Sequence, residues 1–160
     1  MLISPHFDLA EFTTSQTAAR LGRDVIAPVE VVRNLERLCF EILEPLRDML
    51  ARPIIINSGY RPDWLNKAVG GSETSAHLLG LAADIIAPGI VPMGVAGRVG
   101  MMYAAQIDGR PLIPTLDQCI LEFGRWTHVG LRAANETPRG EFLTARSVNG
   151  RTVYEVGLRP

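Results

Sequence analysis

Between Pro28 and Leu50 the apolar residues Val29, Val32, Leu35, Leu38, Cys39, Ile42, Leu43, Leu46 and Leu50 recur at steps of three and four. That spacing is one face of an α-helix, so the stretch predicts an amphipathic helix. Pro45 falls inside it and, lacking an N–H and crowding the preceding turn, should kink or interrupt it. Upstream, Phe7 to Phe12 runs into Thr13-Thr14-Ser15-Gln16, where Ser or Thr can cap a short helix ending near Gly22. Residues 1–27 therefore read as a covering arm. Downstream the period changes. Ile54-Ile55-Ile56 is a β-branched run too short for a helix, closed by Asn57-Ser58-Gly59, and predicts a buried strand ending in a turn. Ala82 to Ile86, closed by Pro88-Gly89, predicts a second strand, and about Met93 to Ile107 a Gly-containing helix. Gln118–Phe123 and Thr127–Leu131 predict two further strands. Residues 137–160 predict a terminal hairpin about Asn149-Gly150, a pair suited to a type I′ turn. Helices come first and most strands later, without regular alternation. One α+β domain over 1–160 is expected, with helices packed on one face of a largely antiparallel sheet.

Composition narrows the function more than the fold. The chain of 160 residues is 47% hydrophobic and 21% charged, ordinary globular usage, which excludes disordered and low-complexity classes. Sixteen basic against seventeen acidic residues, with no basic cluster, argue against nucleic acid as a partner. No apolar run approaches the ~18 residues a membrane span needs, and the N-terminus does not read as a signal peptide. Synthesis in the cytoplasm without membrane insertion is the expectation. Cys39 and Cys119 are too sparse for a disulfide framework or a thiolate zinc site and read as reduced, buried thiols.

Of three histidines, two keep unusual company: His77 lies in Ser75-Ala76-His77-Leu78-Leu79-Gly80-Leu81-Ala82-Ala83-Asp84, and His128 in Trp126-Thr127-His128. Two imidazoles and a carboxylate form a plausible set for Zn²⁺, leaving the fourth tetrahedral position to water. Seven residues of continuous helix would separate His77 from Asp84 by ~10.5 Å. The segment must therefore fold back, and Gly80 permits the bend. His6 has no evident partner and reads as structural.

The Ser-x-His-x-x-Gly-x-Ala-x-Asp pattern with a downstream Trp-x-His resembles the zinc D-Ala-D-Ala carboxypeptidases and their relatives, the L-alanyl-D-glutamate endolysins and Hedgehog-like zinc domains. Ile54-Ile55-Ile56-Asn57-Ser58-Gly59-Tyr60-Arg61 is similar to the strand and Ser-Gly-x-Arg turn of that family, and Leu65 to Gly71 also fits. The likeness covers about residues 5 to 131, and is strongest to the branch found in phage and prophage proteins. It implies a Hedgehog/DD-peptidase-like fold, His77, Asp84 and His128 as zinc ligands, and Arg61 facing substrate. A guanidinium there can hold a carboxylate or a developing oxyanion. Ser75 either orients substrate or a neighbouring group, or caps a turn. Tyr60 either donates to substrate or packs.

The chain departs from the better-known pattern at Arg125, which stands where those enzymes carry the Glu that acts as general base. Arginine cannot take a proton at neutral pH. Glu122 is the best remaining candidate, provided the loop between the two strands has an odd number of residues, so that Glu122 and His128 share a face. Otherwise it is a strand Glu facing solvent. Glu73 is a weaker alternative. Trp126 is either a cleft wall or core. The resemblance thus implies a zinc metallopeptidase acting on peptidoglycan stem peptides next to a D-amino acid, at the cell wall, in a phage lysis or tail setting with phage structural or lysis proteins as partners. The rival is a noncatalytic zinc-stabilised module that binds cell-wall peptide or a phage protein, and Arg125 is its main support.

Overall fold

The structure is a computed structural model that describes residues 1–160. Two short helices open it, α1 (Leu9–Thr13) and α2 (Gln16–Arg20). Asp8 and Glu11 form a reciprocal capping box at α1, and the Ser15 hydroxyl accepts from the Ala18 N–H at α2, so side chains of the arm cap both helix starts. The long amphipathic stretch becomes α3 (Val29–Leu38) and α4 (Glu44–Leu50), joined by a π-helical turn over Cys39–Leu43. Glu44 N–H donates to Cys39 O, one residue further back than in an α-helix. The wider turn just ahead of Pro45 interrupts the α geometry where the proline ring would crowd it.

β1 (Ile55–Ser58), α5 (Asp63–Ala68), a 3₁₀ turn (Ala76–Leu79), β2 (Ala82–Ile86) and α6 (Pro92–Ala104) follow. A small ribbon of β3 (Gln106–Ile107) and β4 (Arg110–Pro111) leads to β5 (Leu116–Glu122), β6 (Trp126–Leu131), β7 (Glu141–Val148) and β8 (Arg151–Val156). Six strands form one sheet in the order β1-β2-β6-β5-β7-β8, antiparallel throughout except for the β5–β7 pair. The α+β architecture with a mostly antiparallel sheet matches the expectation.

Three details differ from it. β1 begins a residue later, takes in Asn57 and Ser58, and is a half-exposed edge strand, because its only neighbour is β2. The helix expected to reach Ile107 stops at Ala104, since Asp108 and Gly109 both adopt positive φ and turn the chain into the β3–β4 ribbon. His6 does have a partner: Glu44 accepts from its backbone N–H at 2.9 Å and meets its Nδ1 at 2.7 Å, which ties the arm to α4.

Alternation along the strands separates two faces. Ala83, Ile85, Cys119 and Val129 point into a single core with Leu35, Leu38, Ile42 and Leu46 of the α3–α4 stretch and Val95, Val99 and Met102 of α6. Each fully buried Leu or Ile contributes about 1.5–3 kcal/mol, against about 1 kcal/mol for a typical hydrogen bond. The helix-covered face therefore fixes where the strands lie, and the opposite face is free to carry polar residues. Cys39 and Cys119 are buried free thiols, and burial pushes Cys39 up to about 12.

Candidate metal centre

Asp84 and His128 are direct cross-strand partners in the β2–β6 ladder, so both side chains leave the sheet on the face away from the helices. His77 reaches them from the 3₁₀ turn. Gly80 ends that turn in the left-handed region at φ +67°, and a Cβ there would meet the Val31 side chain at 2.8 Å and its carbonyl at 2.9 Å. Only glycine lets the chain reverse this close to α3. The reversal expected from sequence spacing is thus present.

The three donor atoms converge. His77 Nε2 lies 3.2 Å from His128 Nδ1 and 3.3 Å from Asp84 Oδ1, and His128 Nδ1 lies 3.0 Å from the same carboxylate oxygen. Four ligands at ~2.0–2.1 Å in a tetrahedron are separated by about 3.3 Å, so these spacings fit a zinc set. The chemistry of the donors agrees. His77 Nδ1 is 2.6 Å from Gly59 O, an atom that can only accept, so the proton resides on Nδ1 and Nε2 presents a bare lone pair. Three buried ligand atoms this close together could hold a metal ion among them. Burial alone would raise the Asp84 carboxyl, but its neighbours His77 and His128 override it and hold the group well below the usual carboxylate range.

Around this cluster the other candidates take defined positions. The Arg61 guanidinium donates to Ser58 Oγ and Ser75 Oγ, both at 3.3 Å, and its Nη1 lies 3.7 Å from Asp84 Oδ2. Burial draws its pKa down, while Asp84 and Glu122 oppose the shift. Ser75 occupies the N-cap position of the 3₁₀ turn but makes no capping bond; its hydroxyl serves Arg61 instead. Ser58 is a second anchor of Arg61 that the sequence reading passed over, although it stands in the Ser-Gly-x-Arg turn. Phe12 of the arm packs against that turn so closely that a Cβ on Gly59 would lie 2.5 Å from its Cα, and Tyr60 N–H donates to Phe12 O at 2.8 Å. The Tyr60 side chain is buried in the core at the edge of the cleft.

Between β5 and β6 the loop is Phe123-Gly124-Arg125, three residues, and Glu122 pairs with Trp126 while Ile120 pairs with His128. Glu122, Trp126 and His128 therefore share the cleft face, with Glu122 diagonal to His128, about 7–8 Å between backbones. Trp126 Nε1–H donates to Glu122 Oε2 at 2.9 Å, a positioning contact that the choice between cleft wall and core did not foresee. Burial pushes Glu122 up, with the Asp84 charge adding to the rise, which makes it a better proton acceptor than an exposed carboxylate. Arg125 is exposed on the turn and lines a separate hollow on the other side, with Arg146 and Arg159. Glu73 is exposed and does not line the cleft.

The cluster opens into a cleft of about 1070 Å³, bounded by Ser15 and Gln16 of the arm at one end and Thr152 and Tyr154 of the hairpin at the other. A helix-backed sheet that carries a buried His-Asp-His set, with an acid beside the set, defines a candidate metal centre next to a titratable carboxylate. A family model described as Peptidase M15 matches residues 5–129, and the chain belongs to that family of peptidases. M15 peptidases are zinc-dependent, and the His77, Asp84 and His128 group is able to hold such an ion. No curated protein matches the chain. No helix is long and apolar enough to cross a membrane.

Proposed function

We propose that the protein is a zinc metallopeptidase that hydrolyses the stem peptides of peptidoglycan next to a D-amino acid, with His77, Asp84 and His128 as the metal ligands. The observation that carries the reading is the convergence of those three side chains beside Glu122 in an open cleft, within a chain of the M15 peptidase family. A zinc ion at such a set supplies Lewis acidity, acidifying water and polarising a carbonyl. Glu122 accepts the proton of the attacking water and passes it to the leaving amine, held in line by the Trp126 indole. Arg61, fixed by two serine hydroxyls, binds the oxyanion or a terminal carboxylate. The cell wall as site of action, and a phage lysis or tail protein as the setting, belong to this proposal and rest on the family likeness.

Glu122→Gln tests it. With zinc retained at one per chain, turnover of purified muropeptides should fall by about 10²–10⁴. Undiminished turnover removes Glu122 as the base. A wild type that holds zinc yet cleaves none of several wall chemotypes would replace the peptidase by the binding module.

A further inference from the structure

The family match ends at residue 129, yet the face that carries Glu122 continues across two more strands. Glu122 pairs with Ala145 of β7, and Ala145 pairs with Tyr154 of β8. Directly paired residues share a face, so Glu122, Ala145 and Tyr154 form one row across three strands. Strands lie ~4.8 Å apart, which puts the Tyr154 backbone about 10 Å from that of Glu122. The residue between them in the row is a buried alanine, whose methyl projects little from the sheet. Leu143, Thr152 and Tyr154 line the same cleft as His77, Asp84 and His128. The phenol also responds to this neighbourhood: burial raises its pKa first, and Glu122 and Asp84 raise it further, which keeps it a hydrogen-bond donor.

Arg61 follows β1 at one edge of the sheet, and Tyr154 lies on β8 at the other. Five strand intervals span about 24 Å, the length of roughly seven residues of extended chain. A site that only trims a terminal residue needs one closed end; this cleft runs on past Glu122 onto the hairpin. Resting on the peptidase reading above, we propose that Tyr154, with Leu143 and Thr152, forms a substrate-binding subsite on the hairpin side of Glu122, and that the protein acts on stem peptides that extend on both sides of the cleaved bond. The ring packs on the aliphatic part of the peptide and the O–H donates to a peptide carbonyl.

The test reads binding apart from turnover. Zinc-loaded Glu122→Gln protein is titrated calorimetrically with a free stem pentapeptide and with the corresponding cross-linked muropeptide, alone and combined with Tyr154→Ala or Tyr154→Phe. The cross-linked ligand should bind at least tenfold more tightly, Tyr154→Ala should cut that advantage to less than threefold, and Tyr154→Phe should keep part of it. Equal affinities for the two ligands, or an advantage untouched by Tyr154→Ala, overturn the subsite. A length-dependent affinity that survives in a wild type unable to hydrolyse either ligand would overturn the peptidase and leave the subsite standing.

Discussion

Two aspartates are buried in this sheet to nearly the same degree, Asp84 at 4% and Asp117 at 6% exposure, and they are used in opposite ways. Asp117 faces fixed cations of its own chain. Arg139 donates to it from the backbone N–H and from the guanidinium, and Arg132 adds a second positive charge at 3.6 Å. Asp84 has two imidazole nitrogens within 3.3 Å, at least one of them with a bare lone pair, and Arg61 beyond hydrogen-bonding distance at 3.7 Å. A buried charge must be compensated somewhere. At Asp117 the compensation comes from two arginines and the result is scaffold; at Asp84 it comes mainly from two imidazoles, whose nitrogens and the carboxylate together could hold a metal ion. A buried acid set among ligand nitrogens marks the site better than burial or charge alone.

The comparison is broken most directly at Asp84 itself. Asp84→Asn keeps the shape and removes the charge. Zinc affinity should drop by more than the about 10–100-fold typical of losing a group that merely supports a ligand. Peptide hydrolysis should vanish with it, and added zinc should no longer raise the melting temperature as it does for wild type. Zinc titration followed by a melting curve reads all three. An Asp84→Asn protein with wild-type zinc affinity would mean that the aspartate is scaffold after all.

Asp117→Asn is the converse substitution. It should leave zinc stoichiometry intact and cost about 1–3 kcal/mol of stability, the range for hydrogen bonds to charged groups, tempered because Arg139 is 44% exposed. Burial alone would raise the Asp117 carboxyl, but the hydrogen bonds and charge of Arg139, with Arg132, hold it below its ordinary value. A folded pKa below the unfolded one of ~3.9 means that this stability is complete above that pH and is lost as the pH falls through the folded value. The gap between wild type and Asp117→Asn in denaturant melts should accordingly be full at pH 7 and close below about pH 4. A gap that stays constant to pH 2 would show that the carboxylate charge is not what stabilises.

The same contrast explains what could be read from the residues in order. The ligand set was legible because its spacing imposes a reversal that only Gly80 and the small residues after it permit, and because His128 stands in a strand of clear alternation. The α3–α4 stretch was legible from its period, although the π turn was not, since a one-residue widening leaves the apolar spacing almost unchanged. The β3–β4 ribbon was missed even though Asp108-Gly109 is a hairpin pair, because its flanking strands are two residues each and carry no alternation. Glu122 could be placed only conditionally: the length of the turn decides which face it takes, and that length depends on Phe123 entering the left-handed region at φ 54°, which no local preference dictates. Contacts such as Trp126 to Glu122 and Ser58 to Arg61 follow from register and rotamer, which sequence spacing alone does not fix.

The smallest effect concerns how Arg61 is positioned beside Asp84. Its guanidinium is held by Ser58 and Ser75 at 3.3 Å each, while its nearest approach to Asp84 is 3.7 Å. Two neutral hydroxyls thus restrain a cation that the carboxylate attracts. Removing one of them by Ser75→Ala forfeits a hydrogen bond worth about 0.5–1.5 kcal/mol, which should appear as a two- to tenfold fall in kcat/KM with zinc content unchanged. If Arg61 binds a ground-state carboxylate, the loss falls on KM; if it meets the oxyanion, it falls on kcat. Ser58→Ala should shift the same parameter in the same direction, since both hydroxyls act on the one guanidinium. Opposite shifts in the two variants would separate the serines and remove Ser75 from the positioning of Arg61.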